Sequence, residues 1–237
     1  MKVGINFMKI SAVILAGGKG KRMKADVSKQ FIMLKGKPIL YYTLVKFIEN
    51  TKIDNIVVVL PQNEIEYCKK NIIEKYKLKI DYIVSGGAER QDSVYNGLKV
   101  LKDTDIVLIH DGARPFVSDK IIEEGIENAI KFGGAAPGVM PKDTIKIKDN
   151  KSFSKETLDR STLVAIQTPQ VFNFTEIKKC HEKVKHDNID VTDDTMVYEM
   201  FGNKVYLYDG DYENIKITTP EDLLLGERIL SQIRTER

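Results

Sequence analysis

Residues 10–22 read ISAVILAGGKGKR. The uninterrupted apolar run Ala12–Leu15 predicts a strand that is buried on both faces, as in a parallel sheet. Three glycines, Gly17, Gly18 and Gly20, follow at once, and glycine lets backbone N–H groups come close to a ligand. Because open α/β sheets bind ligands beyond the carboxyl ends of their strands, this loop is a candidate anion site. A flexible, solvated loop is the alternative.

The loop matches neither of two common phosphate-binding motifs. Gly-Lys pairs occur at 18–19, 20–21 and 36–37, but no Ser or Thr follows any of them, so the loop is not a Walker A motif. The dinucleotide fingerprint requires a third glycine where this chain has Met23. This mismatch disfavours an oxidoreductase that uses a dinucleotide cofactor.

Further along the chain, short apolar runs alternate with helical patterns. This alternation predicts βαβ units and an α/β fold with a parallel sheet. The predicted strands are Ala12–Leu15, Ile56–Leu60, Tyr82–Val84, Ile106–Ile109, Val139–Met140 with Thr144–Ile147, and Val205–Tyr208. The predicted helices cover residues 39–50, 63–76, 91–101, 118–131, 174–185, 193–201 and 220–234.

One polar, extended region, residues 141–172, interrupts the alternation. Two strand-like pieces, Thr144–Ile147 and Leu163–Ile166, flank a charged turn at Asp149–Asn150. This pattern predicts a β-arm that projects from a single domain spanning residues 1–237.

Charge and composition exclude several classes of protein. The net charge of +3 is too small for a dedicated nucleic-acid binder. Between Lys19 and Lys37, however, the chain has seven cations and one acid, Asp26. This local excess of positive charge suits a small anion. The cations are Lys19, Lys21, Arg22, Lys24, Lys29, Lys35 and Lys37.

Membrane, secretory and zinc classes are also disfavoured. No apolar run approaches the ~18 residues of a membrane span, and the N-terminus lacks the features of a signal peptide. Cys68 and Cys180 stand far apart with no metal-ligand spacing, which predicts a cytoplasmic protein without disulfides or a zinc site.

The strand Ile106–Ile109 leads into HDGARP at residues 110–115. If this strand runs parallel to the first, Asp111 reaches the same edge as the glycine loop, where it suits Mg²⁺ or a ribose hydroxyl. An ion pair with Arg114 is the alternative. His110 is expected to be structural, and His181 and His186 are expected to be solvated.

A third loop, SGGAERQDS at residues 85–93, joins a strand to a helix. Gly87 and Ser93 offer an amide and a hydroxyl to a flat polar group such as a nucleobase, although helix capping explains Asp92 or Ser93 equally well. In the arm, Thr144, Arg160 and Thr168 supply hydroxyls and a guanidinium suited to phosphate; a solvated hairpin is the alternative.

The sequence shows no activated nucleophile: it has no G-x-S-x-G elbow, and neither cysteine has an activating neighbour. Glycines, cations and one carboxylate suit phosphoryl or nucleotidyl transfer, in which the substrates supply the nucleophile and the leaving group.

Seven motifs in order give the chain a specific resemblance across Ile10 to Gly226. They are LAGGKGKRM with SKQF, GGAERQDSV, HDGARP, PKDTIK, DRSTLVAIQTPQVF, TDD and NIKITTPEDL. The chain resembles the Rossmann-like nucleotidyltransferases and, among them, the methylerythritol phosphate cytidylyltransferase family. The resemblance implies a mixed, mostly parallel sheet flanked by helices, with a projecting β-arm used in dimerisation. It also implies CTP and methylerythritol 4-phosphate as substrates, with Mg²⁺.

The resemblance also implies roles for individual residues. Ala16, Gly17, Gly18 and Gly20 would hold the triphosphate, and Arg22 and Lys29 would stabilise the reacting α-phosphate. Gly87 and Ser93 would face cytosine, and Asp111 and Arg114 would lie near ribose, metal and substrate. The second substrate would be held by Thr144, Arg160, Thr168, Thr192 and Lys216. The family is a homodimer with embracing arms, so Arg160 would act in the partner's site.

Two alternatives remain at this stage. Ribitol phosphate cytidylyltransferases share the glycine loop, the QTPQ segment and NIKITTP, but they usually carry Val where this chain has Ala113. A non-catalytic nucleotide sensor would keep the same pocket, but it would not need Arg22, Lys29 and Lys216 together.

Overall fold

The computed structural model describes residues 8–18 and 28–235. Its strands are β1 (Ile10–Leu15), β2 (Met33–Leu34), β3 (Lys37–Pro38), β4 (Asn55–Leu60), β5 (Tyr82–Ser85), β6 (Ile106–Asp111), β7 (Gly134–Val139), β8 (Lys146–Lys148), β9 (Ser154–Thr157), β10 (Ala165–Ile166), β11 (Gln170–Asn173) and β12 (Tyr206–Asp209). Its α-helices are α1 (Ile39–Glu49), α2 (Ile65–Cys68), α3 (Arg90–Val100), α4 (Asp119–Phe132), α5 (Phe174–Asp187), α6 (Asp194–Glu199) and α7 (Pro220–Thr235). Within these described ranges, no helix has the length and apolar character needed to cross a membrane.

Eight of the described strands form the central sheet, in the order β10-β7-β11-β6-β1-β4-β5, with β12 also paired to β7. The pairs β6·β1, β1·β4, β4·β5 and β12·β7 are parallel. β10 and β11 run in the opposite direction. The prediction of a mixed, mostly parallel sheet flanked by helices is confirmed.

The apolar run of β1 is buried on both faces, as its sequence predicts. Ala12 and Ile14 pack into one hydrophobic layer with Leu44 of α1. Val13 points to the opposite layer, where it packs with Leu98 of α3. Successive side chains of a strand point to opposite faces, so helices cover both faces of this parallel part of the sheet.

Strand β7 lies earlier than the predicted Val139–Met140. Its sequence, GAAPGV, is poor in residues that favour strands, but the structure requires small residues there. A Cβ atom at Gly134 would lie 2.8 Å from Cε1 of Tyr198, and one at Gly138 would lie 2.2 Å from Cγ1 of Val164. Close packing by neighbours distant in sequence therefore selects this composition.

The predicted arm is shorter in the structure and is paired differently. Its hairpin joins β8 to β9, so Leu163–Ile166 does not supply the second hairpin strand. Ala165–Ile166 instead pairs with β7, and β11 inserts between β6 and β7. We use "hairpin arm" for residues 141–164, of which residues 142–157 are all exposed.

The segment predicted as one helix over residues 63–76 contains three successive helix types. A 3-10 turn (Gln62–Glu64) leads into α2, and a π-helix (Lys69–Glu74) follows. Cys68 and Ile72 both remain buried against the sheet. The other predicted helices begin and end within two residues of the observed bounds.

Candidate active site

The loops after β1, β5 and β6 meet at one edge of the sheet because these strands are parallel. Leu15 lies directly opposite Asp111 in the register of β1 and β6. The Gly112 N–H donates to the Leu15 carbonyl at 2.8 Å, and the Gly86 N–H donates to the Leu60 carbonyl, also at 2.8 Å. The prediction that Asp111 reaches the edge of the glycine loop is confirmed.

A cavity of about 250 Å³ opens at this edge. Its walls come from five parts of the chain: the loop after β1, the turn around Lys29, the start of α3, the end of β6, and the segment before α7. The lining residues are Leu15, Ala16, Gly17, Gly18, Lys29, Gln30, Gly87, Ala88, Glu89, Arg90, Ser93, Asp111, Ala113 and Lys216. Eight of the predicted site residues are therefore brought together.

Lys29 lies on a 3-10 turn that a distant carboxylate anchors on both sides. Glu64 accepts hydrogen bonds from the Ser28 hydroxyl and from the Gln30 amide, the latter at 2.6 Å. The Lys29 side chain extends past Gly18, where a Cβ atom would lie 3.9 Å from Lys29 Cε. The turn thus directs a cation to the end of the glycine loop.

Asp111 is the carboxylate at the centre of the site. Lys216 Nζ donates to its Oδ2 at 2.8 Å, and Arg114 Nε lies 3.6 Å from the same oxygen. Burial alone would raise the pKa of Asp111, but the cations Lys216, Arg90 and Arg114 outweigh burial and hold that pKa well below its usual range. Asp111 is therefore an ionised group at neutral pH, and the ion pair with Arg114, the alternative to a metal or ribose role, is present.

Thr168 and His110 fix the backbone behind Asp111. Burial lowers the pKa of His110 to about 4, so its ring is neutral at pH 7. Since the Arg114 carbonyl can only accept, His110 Nε2 donates to it at 3.1 Å, and His110 Nδ1 accepts from the Thr168 hydroxyl at 3.0 Å. The Asp111 N–H donates to the same hydroxyl at 3.1 Å. His110 is structural as expected, whereas the Thr168 hydroxyl supports the site from behind instead of facing the cavity.

Gly87 and Ser93 form one compact unit at the start of α3. The Gly87 N–H donates to Ser93 Oγ at 3.0 Å, and the Ser93 hydroxyl donates to the Glu89 carbonyl at 3.2 Å. A Cβ atom at Gly87 would lie 2.2 Å from Cβ of Asp92, so this position requires glycine. Asp92 completes a capping box with Glu89, while the Ser93 hydroxyl lines the cavity.

Three predicted residues lie away from the cavity, and two lie outside the described residues. Thr144 and Arg160 belong to the exposed hairpin arm, where Arg160 Nη1 donates to the Lys142 carbonyl at 2.6 Å. Thr192 is exposed just before α6. Gly20 and Arg22 fall in residues 19–27, outside the described ranges.

Sequence reasoning missed three residues of this region. Arg90 lines the cavity and pairs with the buried Asp194, which lies 104 residues further along. Asn214 is fully buried, and its carbonyl accepts from Arg114 Nη1 at 2.7 Å. All three lie in motifs of the resemblance, Arg90 in GGAERQDSV, Asp194 in TDD and Asn214 in NIKITTPEDL, but local sequence gives no sign of their long-range contacts.

The expectation that His181 is solvated is wrong. His181 is 1% exposed, and its Nε2 lies 3.1 Å from Asp194 Oδ1. Its helix, α5, packs this face against the body of the protein, a fact that the charged sequence of α5 conceals. His186 is exposed, as expected.

A divalent cation fits the site only together with phosphates. Within residues 8–18 and 28–235, no three His, Cys, Asp or Glu residues are grouped as metal ligands. Both cations that pair with Asp111 contact its Oδ2, so Oδ1 is the atom suited to Mg²⁺. One carboxylate combined with nucleotide phosphates is a usual Mg²⁺ arrangement in proteins.

The cysteines and the central histidine are not placed to act as nucleophiles. Cys68 and Cys180 are buried and free, and burial together with nearby Glu64 raises the pKa of Cys68 to about 12. A thiol with so high a pKa carries almost no thiolate at neutral pH. His110 uses both ring nitrogens in the hydrogen bonds behind Asp111.

Comparison with known proteins agrees with this geometry. A sequence profile of 2-C-methyl-D-erythritol 4-phosphate cytidylyltransferase matches residues 10–232. This chain is similar to the protein of that name from Clostridium beijerinckii, with 62% identity over 94% of this chain and 99% of the relative. It is also similar to the one from Clostridium perfringens strain SM101, with 61% identity over 94% of this chain and 99% of the relative.

Solved structures show the same fold. The crystal structure of the 4-diphosphocytidyl-2C-methyl-D-erythritol synthase of Anaerococcus prevotii superposes with a TM-score of 0.84 at 36% identity, covering 96% of this chain and 98% of that one. The 2-C-methyl-D-erythritol 4-phosphate cytidylyltransferase of Francisella tularensis gives 0.77 at 33% identity, covering 93% and 99%. This chain belongs to the 2-C-methyl-D-erythritol 4-phosphate cytidylyltransferase family.

Proposed function

We propose that this chain transfers CMP from CTP to 2-C-methyl-D-erythritol 4-phosphate, with release of pyrophosphate. The observation that carries the proposal is a single cavity that joins the glycine loop, Lys29 and the Lys216–Asp111 pair. Membership of the family supplies the identity of the two substrates. The arrangement suits a reaction in which charge must be neutralised and two phosphates aligned.

The nucleotide occupies the cavity at the edge of the sheet. Residues 16–18, extended by Gly20, hold the triphosphate with backbone N–H groups. Cytosine lies against Gly87 and Ser93, and the ribose lies near Asp111 and Arg114. The confinement of the cavity between these loops supports this orientation.

The reaction is a direct in-line displacement. A phosphate oxygen of the second substrate forms a bond to the α-phosphorus of CTP, and the bond from that phosphorus to the bridging oxygen of the β-phosphate breaks. The electron pair of the broken bond leaves with pyrophosphate. Lys29 and Arg22 neutralise the charge on the α-phosphate, while Lys216, held on Asp111, meets the incoming phosphate. The inert placement of the cysteines and His110 supports a mechanism without a covalent enzyme intermediate.

Mg²⁺ is proposed as the cofactor, held by Asp111 together with the nucleotide phosphates. When bound, it would neutralise phosphate charge and orient the triphosphate. The residues of the chain perform the remaining work: Lys216 holds Asp111 in its ionised form, and Thr168 with His110 fixes the backbone that carries Asp111.

The second substrate is proposed to bind between two copies of the chain. Thr192, Thr168 and Lys216 come from one copy, Thr168 in a supporting role. Arg160 and Thr144 come from the hairpin arm of the other copy in a homodimer. The exposed apolar side chains Ile147 and Phe153 of the arm support its covering by a partner surface. We also propose that the enzyme is cytoplasmic, which suits its two free, buried cysteines.

The test is pyrophosphate release from CTP and Mg²⁺ with three additions: methylerythritol phosphate, ribitol 5-phosphate, or no acceptor. We expect release with the first and none without an acceptor. Comparable or faster turnover with ribitol phosphate would assign the alternative substrate. Binding of CTP with no release under any condition would identify a nucleotide sensor.

A further inference from the structure

A chain of three polar side chains, of which the inner two are buried, leads from the cavity into the protein. Arg90 lines the cavity, and its Nη2 donates to Asp194 Oδ2 at 2.7 Å. The other carboxylate oxygen, Asp194 Oδ1, lies 3.1 Å from His181 Nε2. Asp194 and His181 are fully buried or nearly so, whereas the Arg90 side chain is 31% exposed. Only the first member of the chain therefore reaches the cavity.

The carboxylate of Asp194 is ionised and held from several directions. Burial would raise the pKa of Asp194, but the charge of Arg90 and the hydrogen bond from His181 lower it below its usual value. Because a carboxylate can only accept, His181 Nε2 carries the hydrogen in this bond. The backbone N–H of Asp194 donates to Gln170 Oε1 at 2.9 Å, which ties the start of α6 to β11.

The bond to Asp194 fixes the direction of the Arg90 guanidinium. Arginine has five N–H donors in a rigid plane, so anchoring one edge of the plane sets where the others point. Arg90 immediately follows Gly87, Ala88 and Glu89, which line the same wall of the cavity. Its charge also contributes to the low pKa of Asp111 across the cavity. Without the bond to Asp194, the Arg90 guanidinium would lose its fixed direction at the cavity wall, and its contribution to the low pKa of Asp111 would be lost as well.

We propose that Asp194 is a positioning residue of the nucleotide site, which holds Arg90 against the cavity wall, and that His181 fixes the Asp194 carboxylate for this task. A purely structural role would not require an ion pair, because packed apolar side chains in place of a buried ion pair are often as stable. The proposal rests on the assignment of the cavity to CTP.

The first measurement is the Kd of CTP, by calorimetry, for wild type and for Asp194→Asn. Asn keeps the shape of Asp but removes the charge, so we expect the Kd and the KM of CTP to rise ~10-fold, as for a charged hydrogen bond left without its partner. The kcat at saturating CTP and the KM of methylerythritol phosphate should change little, because Arg90 acts on the nucleotide.

A mutant cycle tests whether Asp194 acts through Arg90. Arg90→Ala should weaken CTP binding, and Asp194→Asn should then add little to the Kd of that variant. At His181, His181→Leu should raise the Kd of CTP, whereas His181→Gln should restore most of the affinity, because the Gln amide places a donor near the position of Nε2. These variants keep the proposal testable if Asp194→Asn does not fold.

Tyr198→Phe is the matched control. Tyr198 lies on α6, like Asp194, and its hydroxyl donates to Glu176 on α5, the helix of His181. This change removes a hydrogen bond between the same two helices without touching the cavity. We expect a lower unfolding temperature and an unchanged Kd of CTP.

Two results would overturn the proposal, and they differ from failure of the proposed function. Folded Asp194→Asn with the wild-type Kd of CTP would leave Asp194 no role in nucleotide binding. Additive effects of Asp194→Asn and Arg90→Ala on the Kd would show that Asp194 does not act through Arg90. Wild-type protein that fails to bind CTP would instead remove the nucleotide assignment of the cavity, and this proposal with it.

Discussion

The edge of the central sheet and the hairpin arm carry the two groups of proposed site residues, and they are built in opposite ways. At the edge, Asp111 is buried, paired with Lys216 and supported by the bond from its N–H to Thr168. On the arm, residues 142–157 are all exposed, and Arg160 is held by one bond to the Lys142 carbonyl. The half of the site proposed for the nucleotide is therefore prearranged within one chain, and the half proposed for the second substrate is not.

The hairpin arm has no hydrophobic core of its own that would order it in an isolated chain. Ile147 and Phe153, at 40% and 70% exposed, are apolar side chains with no core of their own. A two-stranded hairpin without further packing is marginal in water, because fixing each residue costs conformational entropy. A second copy of the chain that buries these side chains would offset this cost and fix Arg160.

The largest effect is expected at the prearranged half. Lys29→Ala should lower kcat by ~10²-fold or more, about 2.7 kcal/mol, as for loss of one donor to a developing charge. Arg22→Ala should behave alike. Lys37→Ala is the matched control, because Lys37 belongs to the same basic stretch but donates to the Tyr41 hydroxyl. Near wild-type kcat for Lys29→Ala would contradict its role in the transition state.

Asp111→Asn tests the carboxylate at the same edge. The change keeps the shape but removes the charge, so we expect the Mg²⁺ concentration for half-maximal activity to rise ~10-fold or more, within the range for altered metal sites. Asp105→Asn, at the opposite end of β6, serves as the control, since the Asp105 carboxylate accepts from the Lys9 N–H there, away from the cavity. An unchanged Mg²⁺ titration would assign Asp111 to the ribose or to Lys216 alone.

Arg160→Lys addresses the arm. Lysine keeps the charge but cannot make the paired hydrogen bonds of a guanidinium to phosphate, so the KM of methylerythritol phosphate should rise ~10-fold. The Kd of CTP should not change, because the arm lies away from the nucleotide half. Lys151→Ala, at the tip of the arm, should leave both constants at their wild-type values. A shift in the Kd of CTP would contradict the division of the site.

The smallest expected effect is on the free energy of unfolding, when a Thr→Val substitution is made at the sheet edge and, for comparison, on the hairpin arm. Thr168→Val removes a buried hydroxyl that bonds to Asp111 and His110, and it should lower the free energy of unfolding by about 1 kcal/mol. Thr162→Val removes an exposed hydroxyl of the arm that donates to the Asp159 carbonyl. It should leave the free energy of unfolding near the wild-type value. Chemical denaturation measures both free energies of unfolding. An equal decrease for the two variants would contradict the claim that the sheet edge is more rigidly held than the hairpin arm.

The sequence predicted those parts of the fold that depend on local pattern. The apolar runs of β1, β4 and β6 and the glycine loop placed Asp111 correctly, because parallel strands bring their carboxyl ends to one edge. The sequence did not predict the parts of the fold that depend on packing between residues distant in the chain. The small residues of β7 make room for Tyr198 and Val164, and the strand β11 lay hidden in a segment predicted as arm.

The candidate site shows the same division. Eight predicted residues line the cavity because their motifs follow predicted strands or join the same edge. The Arg90–Asp194 pair joins residues 104 apart, and the burial of His181 depends on how α5 packs. Neither spacing nor composition reports such long-range contacts, so these residues had to come from the structure.

The central claim is that each active site combines the sheet edge of one chain with the arm of another, and mixed dimers test it most directly. Arg160→Ala and Lys29→Ala chains, each nearly inactive alone, are mixed, and subunit exchange is verified separately. A mixed dimer then has one site lacking both residues and one site lacking neither, so the account predicts that pyrophosphate release partly returns. If Arg160 served its own chain, every site would be damaged, and no recovery despite complete exchange would contradict the account.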